Sequence, residues 1–288
     1  MPRASHRLRH LLMVALAVPF LAAGASRVQA AETPVQIGMV PDAGATQVSI
    51  DEKAPLRDYL ERAIGARVEL IIPTNYNATV EALGNGSLDF AYLGGLTYVK
   101  ARARYKVIPL VQRESDVQFH SLFITRASSS INSLKDLRGK TFAFGDINST
   151  SGHLMPYAAL KESGISPGTD FSFRYTGSHP ATAKAVEAGT VDAGAIDETV
   201  YRSMLSQGQL DGAKLRVFYT TPPFIDYVWV AREGASEESR EKFAKAFLSL
   251  DPERDAKVLA ILRGTRFRRA SDGEYENLRQ IARELKLF

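Results

Sequence analysis

The 288-residue chain contains no cysteine. That absence excludes disulfides, thiol catalysis, cysteine-based metal sites and a lipid-modified N-terminal cysteine. Membrane-length apolar runs are also missing at the N-terminus. The run at residues 11–23 counts 13 residues, too few to cross a bilayer. It follows Arg3, Arg7 and Arg9 and precedes Val28-Gln29-Ala30, so residues 1–30 read as an export signal cleaved near Ala30. An excess of charge is the third absence. Lys and Arg total 36 against 32 Asp and Glu, but the first 30 residues hold Arg3, Arg7, Arg9, Arg27 and no acid. The remainder is therefore 36 − 4 = 32 against 32. Such a balance removes the main support for a general nucleic-acid or anionic-membrane role. The expected product is a periplasmic protein of 288 − 30 = 258 residues, held by its core alone.

Several catalytic signatures are absent as well. No Lys follows Gly152 as a P-loop requires. Ser149 and Ser151 both fail the Gly-x-Ser-x-Gly elbow. Ser151, His179 and Asp197 do occur in Ser–His–Asp order, but geometry rather than order defines a triad. Histidines and carboxylates are scattered, with no His-Glu-x-x-His pairing, so neither metal nor cofactor is expected. The chain reads as a non-enzyme.

What the chain does contain is alternation. Strands are predicted at 35–40, 68–72, 88–93 and 107–111, with helices at 56–64, 76–83 and 96–103 between them. Gly65 closes the first helix, and Thr74 is placed to cap the second. A second block has strands at 119–125, from 141, and at 171–175, 191–196 and 215–219, with helices at 180–188 and 198–205. A strand at 227–231 and helices at 237–250, 254–262 and 272–285 finish the chain. This pattern predicts an α/β fold with mostly parallel sheets flanked by helices. Gly86-Ser-Leu-Asp-Phe-Ala-Tyr-Leu93 echoes Gly189-Thr-Val-Asp-Ala-Gly-Ala-Ile196 in residue class, which supports two similar lobes. The expected division is 31–116 plus 222–288 for lobe 1 and 117–221 for lobe 2. Two hinge crossings then join the lobes, and hinge closure traps a ligand.

In such sheets ligands sit beyond the carboxyl ends of strands. That rule selects Asp42, Tyr76 and Gly94-Gly95 from lobe 1, and Ser149, Thr150, Ser151, Gly152, His179 and Asp197 from lobe 2. Phe119, His120 and Asp226 come from the crossings. The Ser149-Thr150-Ser151-Gly152 stretch joins a strand to a helix. Its hydroxyls, backbone N–H groups and helix dipole suit an oxyanion, or else a serine simply caps the helix. His179 is either a donor to that anion or a solvated loop residue. Asp197 or Asp226 could accept a hydrogen bond from a protonated oxyanion, which disfavours fully ionised sulfate. The alternative for each is a helix cap or a hinge salt bridge.

Asn148-Ser149-Thr150-Ser151-Gly152-His153-Leu154-Met155-Pro156 resembles the signature of the phosphate/phosphite/phosphonate periplasmic binding proteins of ABC transporters. So do Tyr76-Asn77-Ala78-Thr79-Val80-Glu81-Ala82-Leu83 and Ser133-Leu134-Lys135-Asp136-Leu137-Arg138-Gly139-Lys140. The resemblance covers about residues 35–231 and implies a two-lobed clamshell that delivers its ligand to a membrane permease; a monomer is expected. It implies that Ser149, Thr150 and Ser151, with N–H groups of the following helix, hold the ligand's oxygens, with Tyr76 donating from lobe 1 and His179 beside them. Phe119 falls where relatives carry a tyrosine, and Leu93 replaces an aromatic of phosphonate binders, so a small inorganic oxyanion is expected over a large phosphonate. Other readings of the same fold are a ligand-presenting partner of a sensor histidine kinase and an enzyme acting on a pyrimidine precursor.

Overall fold

The structure is a computed structural model that describes residues 33–41 and 50–287. The predicted leader and Asp42 lie outside the described residues. Strand β1 (Val35–Met39) buries Ile37 and Met39. Helix α1 (Ala54–Ile64) presents Leu56, Leu60 and Ile64, four residues apart, on one apolar face. Pro55 sits in its first turn and Gly65, at φ 75°, ends it. Next come β2 (Val68–Ile71), α2 (Tyr76–Gly84), β3 (Phe90–Leu93), α3 (Gly95–Tyr105) and β4 (Ile108–Arg113). The α2 cap is Asn75, whose side chain accepts from the Ala78 N–H, rather than the expected Thr74. One residue nearer the helix, an Asn side chain reaches the third amide directly.

The second set comprises β5 (Ser121–Arg126), β6 (Thr141–Phe144), a π turn (Thr150–Leu154) and α4 (Met155–Glu162). Then follow β7 (Ser172–Tyr175), α5 (His179–Glu187), β8 (Ala193–Asp197), α6 (Glu198–Ser206) and β9 (Leu215–Thr220). The chain finishes with β10 (Val228–Ala231), α7 (Glu237–Leu248), α8 (Ala256–Leu262), β11 (Phe267–Arg269) and α9 (Glu276–Glu284).

The sheets run β11-β4-β10-β3-β1-β2 and β7-β6-β8-β5-β9. They are mixed, not mostly parallel as expected. Strands linked by helices do point the same way: β1 pairs parallel with β2 and β3, and β6 with β7 and β8. The reversed strands are those fed by the crossings. β10 inserts antiparallel between β3 and β4, and β5 lies antiparallel between β8 and β9. Each crossing thus hands a strand into the middle of the sheet it enters. Strand β11, which the alternation did not predict, adds antiparallel to β4.

The sequence echo has a physical basis. Asp89, just before β3, accepts from the Gln36 N–H of β1 at 3.0 Å. Asp192, just before β8, accepts from the Thr141 N–H of β6 at 2.9 Å. Gly86 and Gly189 hold the matching positive-φ turns that precede them. Each lobe therefore starts a neighbouring strand with the same aspartate device. Cores lie on both sheets. Phe90 stacks on Phe243 at 4.0 Å, with Trp229 and Phe247 beside them in lobe 1. Phe123, Phe142 and Phe144 carry the core of lobe 2. Among the described residues no helix is long and apolar enough to cross a membrane.

Candidate functional site

The π turn is where the loop after β6 becomes a helix. Leu154 N–H donates to Ser149 O and Met155 N–H to Thr150 O, both five residues back. Pro156 follows and has no N–H to extend that ladder. Single π turns often mark functional sites, because they re-aim the side chains they carry. Here they bury Ser149, Thr150, Ser151 and His153.

Each hydroxyl meets a different fate. Ser149 Oγ caps the turn by accepting from the Gly152 N–H at 3.0 Å and lies 3.4 Å from His179 Nε2. Thr150 Oγ1 accepts from the Leu96 N–H at 2.9 Å, so it reaches lobe 1. Ser151 Oγ is buried without a partner among the described residues. Gly152 is needed where it stands: a Cβ there would lie 3.0 Å from both His179 Cε1 and Ser149 Oγ.

His179 is the first residue of α5 and fully buried. Its Nδ1 accepts from the Asp197 N–H at 3.2 Å, which leaves the proton of the neutral ring on Nε2, facing Ser149. His153 has the opposite tautomer. Its Nδ1–H donates to Ile147 O at 2.8 Å, so Nε2 accepts from the Tyr175 hydroxyl at 2.9 Å. Burial lowers the His153 pKa to about 4, which keeps that ring neutral.

The two candidate carboxylates differ sharply. Asp197 caps α6: its Oδ1 accepts from Thr199 N, Thr199 Oγ1 and Val200 N at 2.6, 2.7 and 2.9 Å. Its Oδ2 accepts from the Tyr227 hydroxyl at 2.7 Å. Burial alone would push this carboxyl up, but His179, Arg263, the Val200 amide and Arg113 hold it below the usual range. Asp197 thus has the capping role considered for it, with both oxygens engaged.

Asp226 is fully buried, and its Oδ1 accepts from the Gly95 N–H at 2.9 Å. Its Oδ2 has no hydrogen-bond partner among the described residues. Burial raises its pKa to about 7; Gly95 and Thr150 pull against that, and Asp197 and Asp116 add to it. A Cβ on Gly94 would come within 3.3 Å of Thr150 Oγ1 and 3.4 Å of Asp226 Oδ1. Gly94, Gly95, Thr150 and Asp226 therefore converge from both lobes and the return crossing.

Other predicted residues sit further back. Tyr76 is buried at the first position of α2. Phe119 pairs with Phe224 through backbone bonds of 2.8 and 3.0 Å, and its ring packs edge-on to Phe224 and Tyr227. His120 Nδ1–H donates to Thr221 O at 2.8 Å, while its backbone N–H reaches Glu198 at 3.1 Å. With the Asp226 N–H bonded to Asp116 O, these contacts make the crossings a short antiparallel ribbon. Phe119 belongs to that ribbon, and His120 ties it to the start of α6 through Glu198.

Sequence reasoning missed Tyr227 and Arg113. Tyr227 stacks on Tyr92 at 4.9 Å and ties the return crossing to Asp197. Arg113 is a buried cation paired with Asp116 at 2.5 Å, and it lies 5.2 Å from the Tyr227 ring. Its guanidinium also donates to the Arg263 carbonyl at 3.1 Å, linking the outgoing crossing to the end of α8. An arginine three residues before an aspartate, at the end of lobe 1 in the expected division, was the available signal.

Comparisons with known proteins agree on one family. The family model for the ABC transporter, phosphonate, periplasmic substrate-binding protein matches residues 37–275. A probable ABC transporter phosphite binding protein, PhnD1, of Prochlorococcus marinus is 32% identical over 269 residues, 87% of this chain and 89% of that protein. The phosphate-import protein PhnD of Mycolicibacterium smegmatis is 31% identical over 207 residues, 67% of this chain and 64% of that protein. The structure of Prochlorococcus marinus PhnD1 in complex with methylphosphonate superposes with a TM-score of 0.82 at 30% identity, covering 88% of this chain and 98% of that one.

Proposed function

The chain belongs to the family of periplasmic phosphonate-type substrate-binding proteins of ABC transporters, and on that premise we propose that it binds a small protonatable oxyanion in the cleft between its lobes. Phosphate, phosphite and small phosphonates are the class. The protein acts in the periplasm as a monomer after removal of a leader near Ala30, performs no chemistry, uses no cofactor and passes its ligand to a membrane permease. Residues 31–116 with 222–288 form one lobe, and residues 117–221 the other.

One observation carries the reading. Two buried polar atoms of the candidate site, Ser151 Oγ and Asp226 Oδ2, have no partner among the described residues. Buried polar groups left unpaired cost free energy, so two of them facing one site favour a ligand that pairs them. A tetrahedral oxyanion supplies what each lacks. Ser151, Ser149 and the Nε2–H of His179 donate to its oxygens, assisted by the dipole at the start of the helix. Asp226 accepts the ligand's proton, its Oδ2 taking a hydrogen bond from a P–OH. Gly95, Gly152, Thr150, Tyr76, Asp197, Phe119 and His120 shape and support that pocket. Closure of the lobes lowers the local dielectric, so each of these contacts strengthens.

The proton is what selects the ligand. Sulfate, fully ionised near neutral pH, brings no proton to Asp226 and meets a carboxylate instead. Thermal-shift titration with phosphate, phosphite, methylphosphonate, arsenate, selenate and sulfate tests this. Ligands of the class should raise the melting temperature by about 5 °C or more at a hundredfold excess over Kd, with sulfate and selenate inert at neutral pH. No shift with any of them overturns the proposal.

A further inference from the structure

The cleft is bridged outside the ligand groups as well. Lys100 Nζ of α3, in lobe 1, donates to Asn148 Oδ1 of lobe 2 at 2.7 Å. Asn148 is held in place by its own turn: its N–H donates to Asp146 Oδ1 at 2.7 Å, and the Ser149 N–H donates to Asp146 O at 2.9 Å. One turn earlier on α3, the Leu96 N–H reaches Thr150 Oγ1. Residues 96 and 100 are four apart and share a helix face. Their two bonds land on residues 148 and 150, either side of Ser149. The other basic side chains of α3 serve different ends: Arg102 reaches the carbonyls of Lys106 and Val107, and Arg104 pairs with Glu81.

From this geometry we infer that Lys100 is a positioning residue, an interlobe latch that holds the oxyanion loop against lobe 1 and sets how long a ligand stays bound. The inference rests on the oxyanion reading above and deepens it. A half-buried ammonium needs compensation, and burial does lower the Lys100 pKa while the Asp146 carboxylate opposes that. Opening the cleft separates Lys100 from Asn148 and the Leu96 N–H from Thr150 together. The latch is therefore broken in the step that releases ligand, whereas ligand enters those molecules in which it is already open; in the ligand-free protein it holds the closed fraction closed. It should act on the off-rate and leave the on-rate alone.

Two measurements on the full mature chain test the latch. The absence of cysteine allows spin labels at Glu238→Cys and Lys214→Cys, exposed positions on lobes 1 and 2. Stopped-flow release of methylphosphonate supplies the rate. In Lys100→Met, release should quicken about tenfold, the scale of one hydrogen bond to a charged group. The interlobe distance at saturating methylphosphonate should also broaden toward the open form. Lys100→Arg should restore slow release. Asn148→Ala should match Lys100→Met, and the double variant should add nothing further. Wild-type release rate and distance in Lys100→Met overturn the latch. If that variant does not fold, Asn148→Ala carries the same expectation and the same refutation. If wild-type protein binds no oxyanion, the ligand reading falls, and the latch is judged on the ligand-free distance: widening in Lys100→Met supports it, and no change overturns it.

Discussion

A carboxyl group cut off from water favours its neutral form unless donors or cations hold the charge. Asp197 has four hydrogen-bond donors to hold its charge and stays ionised; Asp226 has fewer and is raised to about 7. From sequence the two were interchangeable, since either could accept from a protonated oxyanion or serve as a cap or salt bridge. What separates them is contributed from afar, by Tyr227 to one and by the amide of Gly95 to the other. Spacing along the chain carries no trace of such partners. The consequence for stability has a definite sign. Asp226 binds its proton more tightly folded than unfolded, so its contribution is fully present below about pH 4 and is lost as pH rises toward 7. Asp226→Asn should therefore gain stability over wild type progressively between pH 4 and 7, by up to about 4 kcal/mol, in denaturant unfolding at several pH values. A difference independent of pH would mean that Asp226 is already ionised in the fold. Ser151→Ala should weaken oxyanion binding by about 1–3 kcal/mol, because a ligand oxygen loses its donor. Calorimetry on that variant reads the change directly.

At the scale of elements, most strands and helices were legible from apolar periodicity, and the failures have identifiable causes. Strand β11 is three residues, Phe267–Arg269, two of them charged, too short for alternation to register. Strand direction was misjudged because β5 and β10 owe their reversal to the crossings, not to anything in their own residues. The helix after β6 was expected, but its π turn was not. That turn depends on Ser149 taking the Gly152 amide and on Pro156 ending the ladder. The same turn makes a demanding site for Gly152. Gly152→Ala would place a methyl 3.0 Å from His179 Cε1 and 3.2 Å from Gly145 Cα, forcing His179 and Ser149 apart. Overpacking of this kind costs about 1–3 kcal/mol, and oxyanion affinity should fall by a comparable amount. Unchanged affinity with a normal melting temperature would show that the His179–Ser149 approach is dispensable.

For the whole molecule, two lobes were readable from the repeated strand–helix blocks and the echo around Asp89 and Asp192, because each lobe solves strand initiation the same way. The hinge was legible only as two connecting segments. Its substance is the ribbon between residues 116 and 226, backed by a buried Arg113–Asp116 pair. That ribbon carries Asp226 and Tyr227 at one end and Phe119 and His120 at the other, so motion at the hinge moves the site's own residues. On the reading proposed above, loop, hinge and carboxyl serve a single event, the enclosure of an oxyanion that can share a proton with Asp226. Calorimetric titration of the mature protein with methylphosphonate and with sulfate, each in two buffers of different ionisation enthalpy near pH 7, tests that event most directly. Saturable one-to-one binding of methylphosphonate with a buffer-dependent heat from proton exchange is expected, and no heat with sulfate. Sulfate binding as tightly as methylphosphonate, or neither ligand binding, would contradict it.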